Sequence, residues 1–423
     1  MKLMWFHLMP YMALPEDFRQ RHPSVWVDIS RDLFDPAQAH RMYNEFIDEL
    51  EYAAQVGFDA VCVNEHHANG YGLMPSPNLI AAALSRRVSD AAICVMGNSL
   101  ALYNPPTRVA EEMAMIDCIS GGRLIAGFPV GTPMDTCYAY GQNPSQLRAR
   151  YLEAHDLVVQ AWTRREPFAL NGRFNQLRYV NIWPSPLQQP HPPIWIPGGG
   201  SVETWQWCAA QDYVYSYLSY FGYQAGRQTM AGFWREMDRL GKDRNPYRAG
   251  FLQFVGVART RAEAEKLYRE PAEYFYGRCL HVDARFANPP GYVSEATLRA
   301  KVRSQISQAA AASALPSGFG SGGGPSFEEI IAKGYVIIGS PDEVAEKLKE
   351  VANELNVGHL MLLLQFGNMA RDLAFENTRL FAEEVLPQVR GQFDGEWEDR
   401  WWPKPLARER RAVPSVPAWE AAQ

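Results

Sequence analysis

The chain has 423 residues, of which 47% are hydrophobic and 21% are charged. This composition is typical of a globular protein and excludes a disordered chain. Lysine and arginine number 41 against 47 acidic residues, which gives a net charge of -6, and no long basic run occurs. We therefore expect no nucleic-acid partner.

Cysteine usage and the N-terminal segment bear on the compartment. The six cysteines are widely spaced without a CxxC pair, which is typical of reduced thiols and predicts a cytoplasmic protein. The apolar start of the chain is interrupted by His7 and Pro10, so it predicts a strand and not a secretion signal. No apolar run approaches the roughly 18 residues that a membrane-spanning helix needs, and we expect no membrane partner.

Short apolar runs alternate with longer amphipathic stretches along most of the chain. This alternation is typical of parallel strands covered by helices. It predicts an α/β fold, a single TIM (β/α)8 barrel over residues 1–390. The predicted strands are 3–9, 59–65, 92–98, 123–130, 193–197, 213–218, 251–258 and 359–366.

Helix-start signals fall where the barrel requires helices. Asp35 and Pro36 predict an N-cap and a first turn, and the helix is expected to stop at Gly57. Ser340 to Glu343 has the spacing of a capping box, and Thr260 to Glu263 repeats it.

Three segments exceed a minimal barrel and are predicted to be insertions: residues 10–35, 163–191 and 280–335, the largest, before the eighth strand. The last contains an Ala-, Gly- and Ser-rich stretch at 309–326, which is compatible with a mobile lid or with a disordered connector. Residues 391–423 form a C-terminal extension that is expected to lie over the barrel or over a partner subunit.

The sequence Asn64-Glu65-His66-His67 ends the second predicted strand. Catalytic groups of barrel enzymes gather at this end of the strands, although two neighbouring histidines are also compatible with a structural role. Zinc or iron ligation is a further alternative. No HxH motif stands on the first strand, so a metal-hydrolase cluster looks incomplete and no metal is predicted.

The sequence Pro197-Gly198-Gly199-Gly200-Ser201 follows the fifth predicted strand and opens a helix. Glycines let backbone amides approach an anion, and a helix N-terminus attracts negative charge. The motif is therefore compatible with a cofactor-phosphate site. Ordinary strand-to-helix turns also contain glycines, so the motif alone does not decide between the two.

The sequence NPPTRVAEEMAMIDCISGGRLIAGFPVG at 104–131 closely resembles the bacterial-luciferase-like flavin-dependent monooxygenase family. The resemblance continues in order with NEHH at 64–67, Tyr140-Gly141, Arg150 to Glu153, HPPIWIPGGGS at 191–201, IIGSPDEVAEKL at 337–348 and LFAEEVLP at 380–387. It spans roughly residues 1–390. It is the most specific signal in the chain.

The resemblance implies reduced FMN at the C-terminal mouth of the barrel. Glu65 and His66 match the acidic and catalytic histidine positions beside the flavin, and Arg150 matches the arginine that contacts the FMN phosphate. The remaining positions that the resemblance assigns to the cofactor are Gly97 and Asn98, where the family often has a cis peptide, together with Gly131, Tyr140, Gly199, Gly200 and Ser201.

By the same resemblance, the protein would use O2 and reduced FMN from a separate flavin reductase, through a flavin hydroperoxide, to oxidise a small organic substrate. We expect His66 to act as a general base oriented by Glu65 or a neighbour. The triple glycine departs from the family's Glu-Ser turn, which predicts weaker phosphate binding and a diffusible cofactor.

His7, Tyr11 and His67 are expected to line the substrate pocket, with core packing as the alternative for the first two. Strand alternation should turn His67 away from His66.

The alternatives in function are a hydride-transfer enzyme that uses the deazaflavin coenzyme, a metal-dependent barrel hydrolase that uses His66 and His67, and a non-catalytic subunit. The aromatic content of 12% favours a flat or apolar substrate, and a homodimer or larger homo-oligomer is expected.

Overall fold

Eight parallel strands close into a barrel in the computed structural model, which describes residues 1–295, 297–299 and 324–412. The ring closes because β1 pairs with both β2 and β11, while β9 pairs with both β8 and β11. The barrel strands are β1 Lys2–Phe6, β2 Ala60–Val63, β3 Ala92–Met96, β4 Leu124–Gly127, β7 Ile194–Gly198, β8 Val214–Tyr217, β9 Ala249–Val257 and β11 His359–Leu363. The predicted TIM barrel is confirmed.

Helices cover the outside of this barrel. They are α1 Phe18–Arg21, α2 Pro36–Gln55, α3 Pro77–Arg87, α4 Thr107–Ser120, α5 Leu147–Thr163, α6 Val202–Gln211, α7 Gly222–Arg239, α8 Arg261–Tyr274, α9 Ala284–Ala287, α10 Phe327–Ala332, α11 Pro341–Leu355, α12 Arg371–Leu380 and α13 Leu386–Val389. Asp35 caps α2 by accepting hydrogen bonds from the amides of Ala37 and Gln38. Ser340 and Glu343 form the predicted capping box of α11.

The sequence placed the eight barrel strands but extended several of them too far. The strand predicted at 59–65 ends at Val63, and the strand predicted at 3–9 ends at Phe6. Apolar side chains beyond these ends, such as Leu8 and Met9, are buried because the mouth loops fold over them. An apolar run therefore does not mark where a strand stops.

Three further strands lie outside the ring. β5 Phe168–Asn171 and β6 Gln176–Val180 form an antiparallel hairpin inside the predicted 163–191 insertion. β10 Val336–Gly339 pairs only with the second half of β9, among the described residues. These three strands were not predicted from the sequence.

The other two predicted insertions partly cover the C-terminal mouth. Trp26, from the 10–35 segment, forms an antiparallel bridge with Asn69 in the loop after β2. Tyr292, from the 280–335 segment, donates to the carbonyl of Gly131 in the loop after β4 at 2.6 Å. Most of the Gly-rich stretch 309–326 lies outside the described residues, as do residues 413–423.

The extension after residue 390 runs across the opposite, N-terminal end of the barrel. His359, at the start of β11, is held by Asp399 at 3.0 Å and stacks on Trp402 with an interplanar angle of 12°. Trp401 donates to the carbonyl of Asp212 at 2.7 Å. These contacts close the end of the barrel that lies away from the site described below. Among the described residues, no helix has both the length and the apolarity needed to cross a membrane.

Candidate active site at the barrel mouth

The loop after β2 carries Glu65, which is bound from several sides. One carboxylate oxygen accepts hydrogen bonds from the Ser99 amide at 2.9 Å, the Tyr103 hydroxyl at 3.2 Å and the Asn98 amide group at 3.3 Å. The other oxygen lies 2.7 Å from Nε2 of His67. Burial and the Glu65 charge raise the pKa of Tyr103, so its hydroxyl stays a donor. This geometry gives Glu65 the role of tying the loop after β3 to the loop after β2.

His66 has a different carboxylate partner. Its Nδ1 lies 2.9 Å from Oδ2 of Asp135, which belongs to a π-helical turn, Met134–Ala139, after β4. The ring is held edge-on against Trp26 and Tyr71, with centroids 5.0 and 4.9 Å away. The His66 side chain is 12% exposed, and its Nε2 has no hydrogen-bond partner in the described part of the chain. A buried carboxylate on one nitrogen and an accessible second nitrogen are what a general base requires.

His67 is not turned away from the site as expected. It binds Glu65, and its ring lies 4.5 Å from that of Tyr140. The expectation relied on strand alternation, but β2 ends at Val63 and the two histidines lie in a loop. Each histidine therefore has its own carboxylate.

Asp135 was not among the site residues predicted from the sequence. It is buried and comes from the loop after β4, two barrel strands away from β2. A polar residue shortly after an apolar strand, at the end where catalytic groups gather, was the available signal. Nothing in the spacing of Asp135 and His66 along the chain indicated that they would meet.

Glycines allow the close approach of β3 and β4 beneath this site. A Cβ added to Gly97 would stand 1.8 Å from the carbonyl oxygen of Gly127. The Met96–Gly97 peptide is cis, in the region where the resemblance implied one. Asn98 follows, and its buried Oδ1 has no partner among the described residues.

Gly131 and Tyr140 both lie in the loop after β4. Gly131 has φ +93°, and a Cβ there would stand 2.5 Å from the Thr136 methyl group, so a larger residue would displace the loop. Tyr140 is partly exposed beside His67. Both positions are therefore at the mouth.

The glycine turn after β7 leads into α6 and is approached by an arginine. Arg148, in the first turn of α5, donates to the Ser201 hydroxyl at 3.2 Å and to the Thr204 hydroxyl at 3.4 Å. A Cβ on Gly199 would meet no atom within 4 Å, so the turn is open on that side. Gly200 has φ +100°, a conformation that favours glycine. A guanidinium beside helix-end amides is a good receptor for an anion.

Arg150, the arginine expected at this turn, lies elsewhere. Its guanidinium stands 4.9 Å from the centre of the Phe174 ring, in the turn of the β5–β6 hairpin. Glu153 binds the same turn through the amides of Arg173 and Asn175, both at 2.7 Å. The Arg-x-x-Glu motif therefore holds the hairpin, and Arg148 takes its place beside Ser201 because it lies just over half a helical turn earlier on α5.

A carboxylate also lies at the glycine turn. Glu203, in the first turn of α6, accepts hydrogen bonds from the hydroxyls of Ser201 and Thr297, each at 2.7 Å, and from that of Ser294. Burial opposes ionisation, but these hydrogen bonds outweigh it and lower the pKa of Glu203 to about 2. The turn therefore carries a fixed negative charge next to its anion-binding groups.

His7 and Tyr11 are both buried. His7 packs against Phe46 of α2, its Nε2 lies 3.0 Å from Glu49, and burial lowers its pKa to about 3. The substrate-pocket prediction is therefore wrong for His7, which points outward to α2. The Tyr11 hydroxyl accepts a hydrogen bond from the Asp35 amide at 2.9 Å, and its place in the substrate pocket stays a prediction.

No three histidine, cysteine, aspartate or glutamate side chains are grouped to hold a metal ion within the ranges that the structure describes. His66 and His67 are turned to separate carboxylates, Asp135 and Glu65.

Comparison with known proteins agrees with this architecture. Residues 28–357 match the family model for luciferase-like monooxygenases. The chain is 32% identical to the uncharacterised protein y4wF of Sinorhizobium fredii over 40% of this chain and 48% of that protein. It is 29% identical to the oxygenase component of the flavin-dependent trigonelline monooxygenase of Acinetobacter baylyi, over 41% of this chain and 48% of that protein. These alignments span about half the length of the two relatives.

Two solved structures share the fold. The oxygenating constituent of 3,6-diketocamphane monooxygenase from Pseudomonas putida, in complex with FMN, has a TM-score of 0.65 at 18% identity and covers 92% of this chain and 99% of its own. An F420-dependent secondary alcohol dehydrogenase, F420 being the deazaflavin coenzyme, has a TM-score of 0.58 at 17% identity with the same coverage. The family match extends over most of the chain, from the first insertion to the approach to β11. The chain thus belongs to the luciferase-like monooxygenase family.

Proposed function

We propose that this protein is the oxygenase component of a two-component system. It takes reduced FMN from a separate flavin reductase and uses O2 to oxidise a small organic substrate. The observation that carries the proposal is that one mouth holds both a phosphate-type turn, with Arg148 beside Ser201, and a histidine with a free nitrogen, His66.

The residues at the mouth fit FMN. Arg148, the open Gly199 and the N-terminus of α6 suit the phosphate dianion. Asn98 follows the close approach of Gly97 to Gly127, and its unpartnered Oδ1 can accept a hydrogen bond from a ligand. Reduced flavin, when bound, supplies the electrons that activate O2. The fixed Glu203 charge at the turn suits a cofactor that is released after each turnover.

His66 would act as the base or hydrogen-bond acceptor toward the reacting molecule, through Nε2. Glu65 and His67 would hold the loop that carries His66, since they are hydrogen-bonded to each other. Trp26 and Tyr71 stack at 4.7 Å beside His66 and exclude water from one side of its ring. Aromatic walls of this kind favour a flat or apolar substrate. Trigonelline is the compound named for one relative, and a heterocycle of similar size is a reasonable first test.

Incorporation of labelled oxygen tests the reaction class. Purified protein is supplied with FMN, NADH, a generic flavin reductase and 18O2, together with a panel of aromatic and heterocyclic compounds. We expect one product to gain a single 18O atom, and His66→Gln to lose that product. Substrate turnover with reduced F420 and no 18O in any product would assign the chain to the hydride-transfer branch of the fold instead.

A further inference from the structure

Asp135 accepts four hydrogen bonds from three different parts of the chain. Oδ1 accepts from the His67 amide at 2.7 Å and from the Trp26 indole at 2.9 Å. Oδ2 lies 2.9 Å from Nδ1 of His66 and accepts from the Thr132 hydroxyl at 3.0 Å. A backbone amide and an indole N–H can only donate, so Oδ1 of Asp135 accepts both of these bonds. Aspartate carboxyl groups are ordinarily ionised at neutral pH, and Oδ2 is then an acceptor as well.

The protons in the His66 ring follow from these contacts. An ionised carboxylate offers no proton, so Nδ1 of His66 must carry the hydrogen of the bond to Asp135. In the neutral imidazole the other nitrogen, Nε2, is then an acceptor with a free lone pair. The carboxylate partner therefore decides which His66 nitrogen can take a proton.

We propose that Asp135 is a positioning residue that fixes His66 in the Nδ1–H tautomer and aims the Nε2 lone pair into the barrel mouth. The atom that meets His66 must then be a hydrogen-bond donor, an O–H or N–H of the substrate or of the oxygen species being transferred. For turnover, this inference rests on the proposed function. The tautomer itself does not depend on it.

The surroundings hold the ring in one orientation. Trp26 and Tyr71 meet the imidazole edge-on, with interplanar angles of 88° and 81°. A Cβ on Gly72 would stand 3.7 Å from Cδ2 of His66, so this loop packs against the ring as well. Because Trp26 also donates to Asp135, the same residue supports both members of the pair. A 180° flip of the ring would place Cδ2 where Nδ1 now lies and would lose the hydrogen bond to Asp135.

Nitrogen NMR of the protein without cofactor tests the tautomer directly. The nine histidines are labelled with 15N, and the His66 signal is assigned as the one that His66→Gln removes. Wild-type protein should show a protonated Nδ1 and an unprotonated Nε2. In Asp135→Asn, the amide NH2 can donate to Nδ1, so we expect the proton to move to Nε2. Thr132→Val is the matched control, since it removes the hydroxyl that donates to Oδ2 and accepts from the Asp135 amide while leaving the carboxylate, and it should keep the wild-type tautomer.

Turnover provides the second readout. Asp135→Asn should lower kcat on the order of a hundredfold or more, the size typical of lost base catalysis, with little change in KM. Asp135→Glu should restore part of the loss because it returns a carboxylate. A wild-type His66 protonated at Nε2, or an unchanged tautomer in Asp135→Asn, overturns the inference even when 18O transfer is observed. The expected tautomers in a protein that transfers no 18O would uphold the positioning role and reject the proposed reaction.

Discussion

At the scale of single residues, charge at the glycine turn separates this site from a simple phosphate receptor. Arg148 and the amides of α6 attract an anion, whereas the ionised Glu203 in the first turn of the same helix repels one. Both charged side chains are hydrogen-bonded to the Ser201 hydroxyl. Cofactor affinity should therefore depend on both, with opposite signs.

Replacing Glu203 by Gln should strengthen FMN binding several-fold, because the negative charge next to the phosphate is removed. Riboflavin, which has no phosphate, is the control ligand and should bind as before. Flavin fluorescence titration measures both. Weaker FMN binding by Glu203→Gln would show that the carboxylate supports the turn instead of opposing the phosphate.

Glu203→Gln should also change how the stability of the protein depends on pH in acid. Hydrogen bonds lower the pKa of Glu203 from an ordinary 4.5 to about 2 in the folded protein. Its contribution to stability is therefore present above pH 4.5 and is lost as the pH falls toward 2. The difference in urea midpoint between wild type and Glu203→Gln should be larger at pH 6 than at pH 3. An equal difference at both values would contradict the hydrogen-bonded state described for this carboxylate.

Residue roles were the part least accessible from sequence. The family pattern led to Glu65, His66 and the glycine turn, which lie after the C-terminal ends of β2 and β7. It could not show that Asp135 pairs with His66, because that contact joins loops after β2 and β4 and depends on three-dimensional packing. It also assigned the phosphate to Arg150, where the structure favours Arg148, two positions away on the same helix.

At the scale of elements, the alternation of apolar runs with amphipathic stretches was sufficient to predict the barrel. Buried parallel strands such as β3 and β11 are continuous apolar runs, and Asp35 and Ser340 cap their helices as predicted. The strand ends were not predictable, since buried loop residues extend the apolar runs. The error at β2 had a consequence, because it led to the wrong orientation for His67.

A motif that identifies the family need not take part in its chemistry, and Arg123 is an example. Arg123 belongs to the 104–131 stretch, the most specific family match, and lies at the start of β4, away from the mouth. Its guanidinium donates to the carbonyls of Ala91 and Val88, each at 2.7 Å, at and beyond the end of α3. Burial lowers its pKa to about 10, so it remains charged at neutral pH. A cation at a helix C-terminus stabilises the fold and has no contact with the proposed chemistry.

At the scale of the whole molecule, the outer helices leave apolar side chains exposed. Met115 and Ile119 stand one turn apart on α4 and are 48% and 44% exposed, and Leu79 on the adjacent α3 is 72% exposed. Clustered exposed apolar residues mark protein interfaces. The expected homodimer would use this surface, which we propose as its interface.

Charge introduced on that surface should separate the subunits. We expect wild-type protein to scatter light as a particle of twice the chain mass of 47.8 kDa, and Met115→Glu with Ile119→Glu to give the single-chain mass. Leu298→Glu, at an exposed apolar position in the mouth insertion, is the control and should stay dimeric. A wild-type monomer, or a double variant that stays dimeric, would reject this interface.

The proposed function requires that the barrel mouth binds reduced FMN. Anaerobic titration with reduced FMN, reduced riboflavin and reduced F420 tests this most directly, in wild type and in Arg148→Met and Arg150→Met. We predict that wild type prefers FMN to riboflavin, that Arg148→Met loses this preference on the order of tenfold, as one lost charged contact of about 1.4 kcal/mol would give, and that Arg150→Met keeps it. Tight binding of F420 without binding of FMN, or loss of the preference in Arg150→Met alone, would contradict the account.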